Sequence, residues 1–214
     1  MKKYVIFDLD GTLVDTIPGL MVSINKLMEE FNYPYRYNYE DVKTLINGGA
    51  IAFYLRAIHQ SEFKEENKAE FEEFLKLYKE YQVLAKPFKD VVKVLKKLEK
   101  LGISLMIYTN KPHEITLALV NLLFSDIKFD FVHGNIPGDT PKPDITLMQN
   151  YLDEHNLSNL EGLYVGDSIV DILTAHNLKM DMLFCKYGYS TKEYLNRDDV
   201  IYINEFSEVL NYIK

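Results

Sequence analysis

Asp8 and Asp10, one residue apart, follow directly on the apolar run Tyr4-Val5-Ile6-Phe7 and precede Gly11-Thr12. In an extended chain alternate residues share a side, so both carboxylates would face one place with Leu9 directed away. Two carboxylates that close repel unless something cationic intervenes. Gly11 permits a tight turn with exposed amides, and the hydroxyl of Thr12 suits a phosphate oxygen. Thr109 and Asn110 come after Ile107-Tyr108 and could donate hydroxyl and amide hydrogen bonds to a phosphoryl oxygen, although Thr-Asn after a strand is also an ordinary helix cap. Lys142 stands between Pro141 and Pro143, whose rings restrict the backbone around it. An ammonium held beside a carboxylate nucleophile keeps it ionised and neutralises developing phosphoryl charge, whereas the ordinary fate of a lysine is the solvated surface. Lys86 and Lys111 are read as surface lysines of that ordinary kind. Asp167 follows Leu163-Tyr164-Val165-Gly166, and Asp171 lies four residues on, one helical turn away on the same side. Each of these two also has a structural explanation in capping and the helix dipole.

Such residues act together only if the chain brings several strand ends to one edge. Tyr4 to Phe7 has the continuous apolar character of a buried parallel strand. Leu20, Ile24, Leu27, Met28 and Phe31 recur at helical spacing from a start near Pro18. Residues 17–85 read as an all-helical insertion, with Asn47-Gly48-Gly49 as its most conspicuous break and Phe71, Phe74, Leu75, Tyr78 and Tyr81 as a core-packing stripe. From Pro87 the pattern alternates. Helices are expected from Val91 to Leu101, His113 to Leu123, Asp144 to Leu152 and Ile169 to Leu178. Strands are expected at Ile103 to Tyr108, Phe129 to Val132, Leu163 to Val165, Met182 to Phe184 and Val200 to Ile203, with a closing helix through Phe206, Val209, Leu210 and Ile213. Alternating strands and helices imply an α/β fold with a doubly wound, mostly parallel sheet, whose ligands bind at the carboxyl edge. The expected division is 1–16 with 86–214 as the core and 17–85 as a helical cap inserted after the first strand.

The run Asp8-Leu9-Asp10-Gly11-Thr12 resembles the D-x-D-G-T first motif of the haloacid dehalogenase superfamily, most of whose known members are phosphatases. Thr109-Asn110-Lys111-Pro112 resembles the second motif in the form of the phosphoglycolate phosphatase branch, Lys142-Pro143 the third, and Gly166-Asp167 through Asp171 the fourth, G-D-x-x-x-D. All four stand in order at expected strand ends. The resemblance implies Asp8 as nucleophile, Asp10 as general acid and base, and Lys142 as the charge-stabilising lysine. Four carboxylates at one edge call for a divalent ion, and hard oxygen ligands with a phosphate to share select Mg²⁺. By resemblance Asp8 and Asp167 bind it through side chains and Asp10 through its main-chain carbonyl, with Asp171 completing the metal set from behind. Gly48 and Gly49 occupy the place of the family's substrate-specificity loop, and a hinged cap that closed would admit small metabolites. Arg56 could bind a substrate carboxylate or form a surface ion pair.

The expected activity is therefore Mg²⁺-dependent hydrolysis of a small phosphomonoester, with 2-phosphoglycolate one candidate. A phosphosugar mutase of the β-phosphoglucomutase type shares the same apparatus. A dehalogenase is disfavoured because it leaves no phosphate to chelate and lacks the second aspartate. A signalling receiver module is shorter and has no insertion after its first strand, and a non-catalytic binding protein on this scaffold would lose a catalytic carboxylate. The 214 residues carry a formal net charge of -8, which disfavours nucleic acid and anionic membranes as partners. No stretch approaches the roughly 20 apolar residues of a spanning helix, and the apolar run behind Met1-Lys2-Lys3 stops at Asp8. The single cysteine, Cys185, lies in an apolar run and reads as a buried thiol of a cytoplasmic protein. The five histidines, His59, His113, His133, His155 and His176, show neither metal spacing nor triad partners.

Overall fold

The structure is a computed structural model describing residues 2–46, 48–190 and 197–214. Six parallel strands form its main sheet, in the order β5-β4-β1-β6-β7-β8. They are β1 (Tyr4–Phe7), β4 (Ser104–Pro112), β5 (Phe131–Asn135), β6 (Gly162–Gly166), β7 (Asp181–Cys185) and β8 (Ile201–Ile203). All four residues of β1 are completely buried because the strand is central, paired with β4 on one side and β6 on the other. Tyr4 and Ile6 face a core shared with Met148 and Leu152 of α7 (Thr146–Glu154) and Ile172 and Ala175 of α8 (Ile169–Asn177). Phe7, one step along the pleat, turns to the opposite face and packs on Phe206 with ring centroids 5.8 Å apart. Both faces are thus covered, which is why the strands read as apolar runs without alternation.

From β1 the chain adds β4 and β5 on one side of the sheet, then β6, β7 and β8 on the other. Strand order reverses at β1, and such a switch point opens a crevice at the carboxyl ends of the strands. Helices α5 (Val91–Lys100) and α6 (His113–Phe124) connect the first group. The stripe Val91, Val94, Leu95 and Leu98 of α5 is buried, as its spacing dictates.

The chain divides into two compact units, Met1–Val14 with Pro87–Lys214, and Asp15–Lys86. The two crossings, β2 (Val14–Asp15) and β3 (Lys86–Pro87), pair as a short ribbon. The second unit consists of α1 (Ile17–Glu30), α2 (Tyr39–Leu45), α3 (Gly49–Ala57) and α4 (Lys68–Tyr81), with short 3₁₀ turns. Phe74 is its centre, fully buried and stacked within 5.5 to 6.3 Å of Phe53, Tyr54 and Tyr78. Asn38 caps α2 by accepting from Asp41 N–H while Asp41 accepts from Asn38 N–H.

Three expected elements differ. The strand expected to stop at Tyr108 runs on to Pro112, with its pairing to β5 irregular between those residues, so the motif Thr109-Asn110-Lys111 is itself extended. The strand expected at Phe129 to Val132 is shifted to Phe131–Asn135. The closing helix is a 3₁₀ helix, Phe206–Tyr212, which still buries Phe206 and Val209.

Candidate active site

Asp8 leaves the end of β1 with its N–H still bonded to the Val165 carbonyl, at 2.9 Å, so the sheet fixes the start of the site. Gly11 then turns the chain with φ of +82°, a conformation that favours glycine. Its N–H bonds Val14 O at 2.9 Å. The extended end of β4 brings Thr109, Asn110 and Lys111 to the same edge, and β6 brings Asp167. Ser168 caps α8: its hydroxyl accepts from Asp171 N–H, while Oδ2 of Asp171 accepts from Ser168 N–H at 3.0 Å and from its hydroxyl at 2.6 Å. This reciprocal cap turns Asp171 back under the strand end, where it is fully buried.

Lys142 is the hub. Its ammonium lies 2.9 Å from Asp8 Oδ1, 2.6 Å from Asp171 Oδ1 and 3.2 Å from the Tyr164 hydroxyl. Burial opposes its charge, yet Asp171 and Asp8 hold it well above the usual lysine value. Burial pushes Asp8 up to about 6 with Asp171 and Asp10 adding to the effect, while Lys142 pulls in the other direction. Burial, with Asp171 and Asp8 nearby, also raises Asp167, whose oxygens accept from Tyr189 N–H at 2.7 Å and the Thr12 hydroxyl at 2.9 Å. Thr12, expected to address a phosphate oxygen, donates instead to this carboxylate.

Lys111 requires a correction. Read as a surface lysine, it has a completely buried side chain whose ammonium lies 3.1 and 3.3 Å from the two oxygens of Asp10. The extension of β4 past Tyr108 carries it inward. Burial lowers it from the usual lysine value, with Asp10 opposing. Asn110 has a further role: its amide donates one hydrogen to the Lys142 carbonyl at 3.0 Å, and its oxygen accepts from Lys142 N–H at 2.8 Å. It grips the main chain of the loop that presents Lys142. Thr109 is buried, and its hydroxyl oxygen accepts from Lys111 N–H at 3.4 Å, which leaves the hydroxyl hydrogen as a donor. Tyr164 was missed as a site residue, yet a tyrosine inside an apolar strand needs a partner for its hydroxyl, and that need was the available signal.

Asp8, Asp167 and Asp171 each present an oxygen within 4.8 Å of the others, an all-oxygen donor set suited to a hard cation. The charges agree. Counted as ionised, Asp8, Asp10, Asp167 and Asp171 bring four negative charges against the two positive charges of Lys111 and Lys142, a difference that a divalent ion would close. Both oxygens of Asp171 already accept from protein donors, Oδ1 from Lys142 and Tyr164 and Oδ2 from Ser168 and Asp167 N–H. The oxygens of Asp167 accept one donor each and Asp8 accepts Lys142 on one oxygen, so these two are less engaged than Asp171 and fit direct ligation better.

In the second unit, Gly48 and Gly49 begin α3 with φ of +88° and +86°. Asn47, the first residue of that break, lies outside the described residues. Arg56, two turns further along α3, donates to the Leu45 carbonyl. Cys185 is a buried free thiol. Among the described residues no helix is long and apolar enough to cross a membrane.

Residues 5–185 match the model of the haloacid dehalogenase-like hydrolase family. The chain belongs to that family. Among curated hydrolases similar to it, phosphoglycolate phosphatase 1 of Pseudomonas aeruginosa is 28% identical over 89% of this chain and 71% of its own length. The phosphoglycolate phosphatase of Aliivibrio fischeri is 31% identical over 89% and 87%. Among solved structures, a predicted phosphoglycolate phosphatase from Haemophilus somnus superposes with a TM-score of 0.85 at 26% identity, covering 100% of this chain and 98% of that one. The four strand-end motifs of this dehalogenase-like hydrolase are the residues gathered around Lys142.

Proposed function

We propose that this chain is a Mg²⁺-dependent phosphatase that hydrolyses a small phosphomonoester, with 2-phosphoglycolate the first candidate, through an aspartyl-phosphate on Asp8. The observation that carries the reading is Asp8 itself, a buried carboxylate at the switch point with one oxygen on Lys142 and the other free of any described hydrogen bond. That second oxygen attacks phosphorus in line with the leaving alkoxide. Asp10, entering the cycle with a proton taken from solvent, delivers it to the alkoxide, then removes one from a water that attacks the phosphorus of the aspartyl-phosphate, so that Asp8 is returned, Asp10 is again protonated and inorganic phosphate is released. Lys142 remains charged throughout and stabilises the equatorial oxygens as negative charge builds on them. Thr109 offers a hydroxyl hydrogen to the same oxygens. Asp8 and Asp167, with the main-chain carbonyl of Asp10, would hold Mg²⁺, which when bound neutralises phosphoryl charge.

The substrate class rests on the relatives and on the size of the insertion. Similar curated proteins carry the name phosphoglycolate phosphatase. The helical unit, Asp15–Lys86, is the proposed cap, and Gly48 and Gly49 its proposed specificity loop. The buried free thiol of Cys185 supports a cytoplasmic setting.

Phosphate release from 2-phosphoglycolate, phosphosugars, nucleotides and p-nitrophenyl phosphate, with Mg²⁺ and with EDTA, tests the proposal. Release that EDTA abolishes and Mg²⁺ restores is expected, with 2-phosphoglycolate the best natural substrate. Conversion of a sugar 1-phosphate into its 6-phosphate without phosphate release would overturn it.

A further inference from the structure

We propose that Lys111 is a positioning residue for the acid–base carboxylate, gripping both oxygens of Asp10 so that the carboxyl meets the leaving-group oxygen in one orientation. This inference rests on the phosphatase reading above. The two residues have unequal settings. Asp10 follows the end of β1 on an irregular turn, tied to Val14 by an isolated bridge, and its side chain keeps 18% exposure. Lys111 sits on the extended end of β4, its side chain fully buried, its N–H on the Thr109 hydroxyl oxygen at 3.4 Å and its carbonyl receiving the Thr116 hydroxyl at 3.4 Å. The rigid partner therefore sets the direction of the less constrained one.

Burying an ammonium is costly, and an ion pair serving only the fold gains little over apolar packing of the same volume. Here the buried charge meets the carboxylate whose angle matters most. A misplaced acid–base group loses rate because proton transfer needs hydrogen-bond reach and alignment. Lys111 is shielded from solvent and acts through Asp10, so it is not itself a catalytic residue. Its removal should therefore change turnover far more than substrate affinity, and most where protonation of the leaving group matters.

Lys111→Met keeps the stem's volume and removes the ammonium. On an alkyl phosphate such as 2-phosphoglycolate its kcat should fall about 10- to 100-fold with KM within about threefold, and on p-nitrophenyl phosphate, whose leaving group needs little protonation, the fall should be under about fivefold. In an Asp10→Asn background the same substitution should cost under about twofold on p-nitrophenyl phosphate, because the group it positions is already disabled. Lys111→Arg should keep the fold and lose kcat selectively on the alkyl substrate, since the planar fork grips differently. Losses that multiply in the double variant, equal losses on both substrates, or a KM change that accounts for the whole effect would overturn the proposal. If Lys111→Met does not fold, Lys111→Arg decides, and a wild-type kcat on 2-phosphoglycolate would then overturn it. Failure of the phosphatase reading looks different: the wild type releases no Mg²⁺-dependent phosphate, or Asp10→Asn is harmless.

Discussion

Lys142→Met replaces the cation that touches Asp8, Asp171 and Tyr164 by an apolar chain of similar length. With the four carboxylates counted as ionised, the balance of the site moves from minus two to minus three, and two carboxylates lose a hydrogen-bond donor. At an effective dielectric of about 20, an ion pair at these separations is worth on the order of 5 kcal/mol before desolvation is subtracted. Removing one partner of such a buried pair leaves an uncompensated charge and costs about 3–5 kcal/mol. For a chain of this size that is a fall in Tm of roughly 6–20 °C in EDTA. Turnover should fall about 10²- to 10³-fold, the cost of deleting one preorganised charge-stabilising donor. Mg²⁺ should raise the Tm of the variant without restoring its turnover, since a metal that Asp8 and Asp167 would hold does not supply the hydrogen bonds the ammonium gives to Asp8, Asp171 and Tyr164. Differential scanning fluorimetry with and without the metal, together with steady-state phosphate release, reads both effects. A Tm within 2 °C of wild type and kcat/KM within about threefold would refute the charge accounting, because neither the burial nor the three contacts would then matter.

Asp8→Asn should abolish turnover with the fold intact by circular dichroism, because an amide cannot accept the phosphoryl group, and a tenth of wild-type activity would remove Asp8 as nucleophile. Asp10→Asn should slow alkyl phosphates more than p-nitrophenyl phosphate, and equal losses on the two would argue against its acid role. Asn110→Ala leaves the Lys142 N–H and carbonyl without their partner, which should cost about 1–3 kcal/mol in urea unfolding and lower kcat with little change in KM. A raised KM at constant kcat would instead make Asn110 a substrate contact.

Much of this site is legible in the chain because its key residues stand where local patterns end. Apolar runs that give way to polar residues at Asp8, Thr109 and Asp167 announce a carboxyl edge, and the four-residue step from Asp167 to Asp171 announces a helix start. What the sequence hides is contact between distant segments. Lys111 lies 101 residues from the Asp10 carboxylate it touches, and nothing next to it distinguishes a buried lysine from a solvated one. Asn110 reads as a donor for substrate because its type permits that, and nothing near it in sequence shows that the Lys142 loop, 32 residues on, engages its oxygen and one amide hydrogen. Thr12 reads as a phosphate ligand for the same reason, whereas Asp167 reaches it from the end of the neighbouring strand, 155 residues on. The strands at β4 and β5 are displaced because pairing between neighbours sets their ends, while composition marks only their apolar middles.

The walls around the carboxylates suggest where substrate choice cannot reside. A Cβ added at Gly11 would come within 2.3 Å of Asp167 Oδ2, and one at Gly188 within 2.5 Å of the same atom. Main chain thus closes on this carboxylate from two sides, the Tyr189 amide and Thr12 hydroxyl hold its oxygens, and Lys142 with the Ser168 cap holds Asp171. Carboxylates packed against backbone keep their geometry because the sheet and α8 keep theirs, whatever the leaving group. The same packing leaves little room for a side chain that could tell one phosphomonoester from another. The core then supplies chemistry common to any phosphoryl group, and discrimination has to come from side chains outside this carboxylate shell. That is the physical reason for proposing substrate selection in the helical unit, Asp15–Lys86, rather than in the motifs themselves.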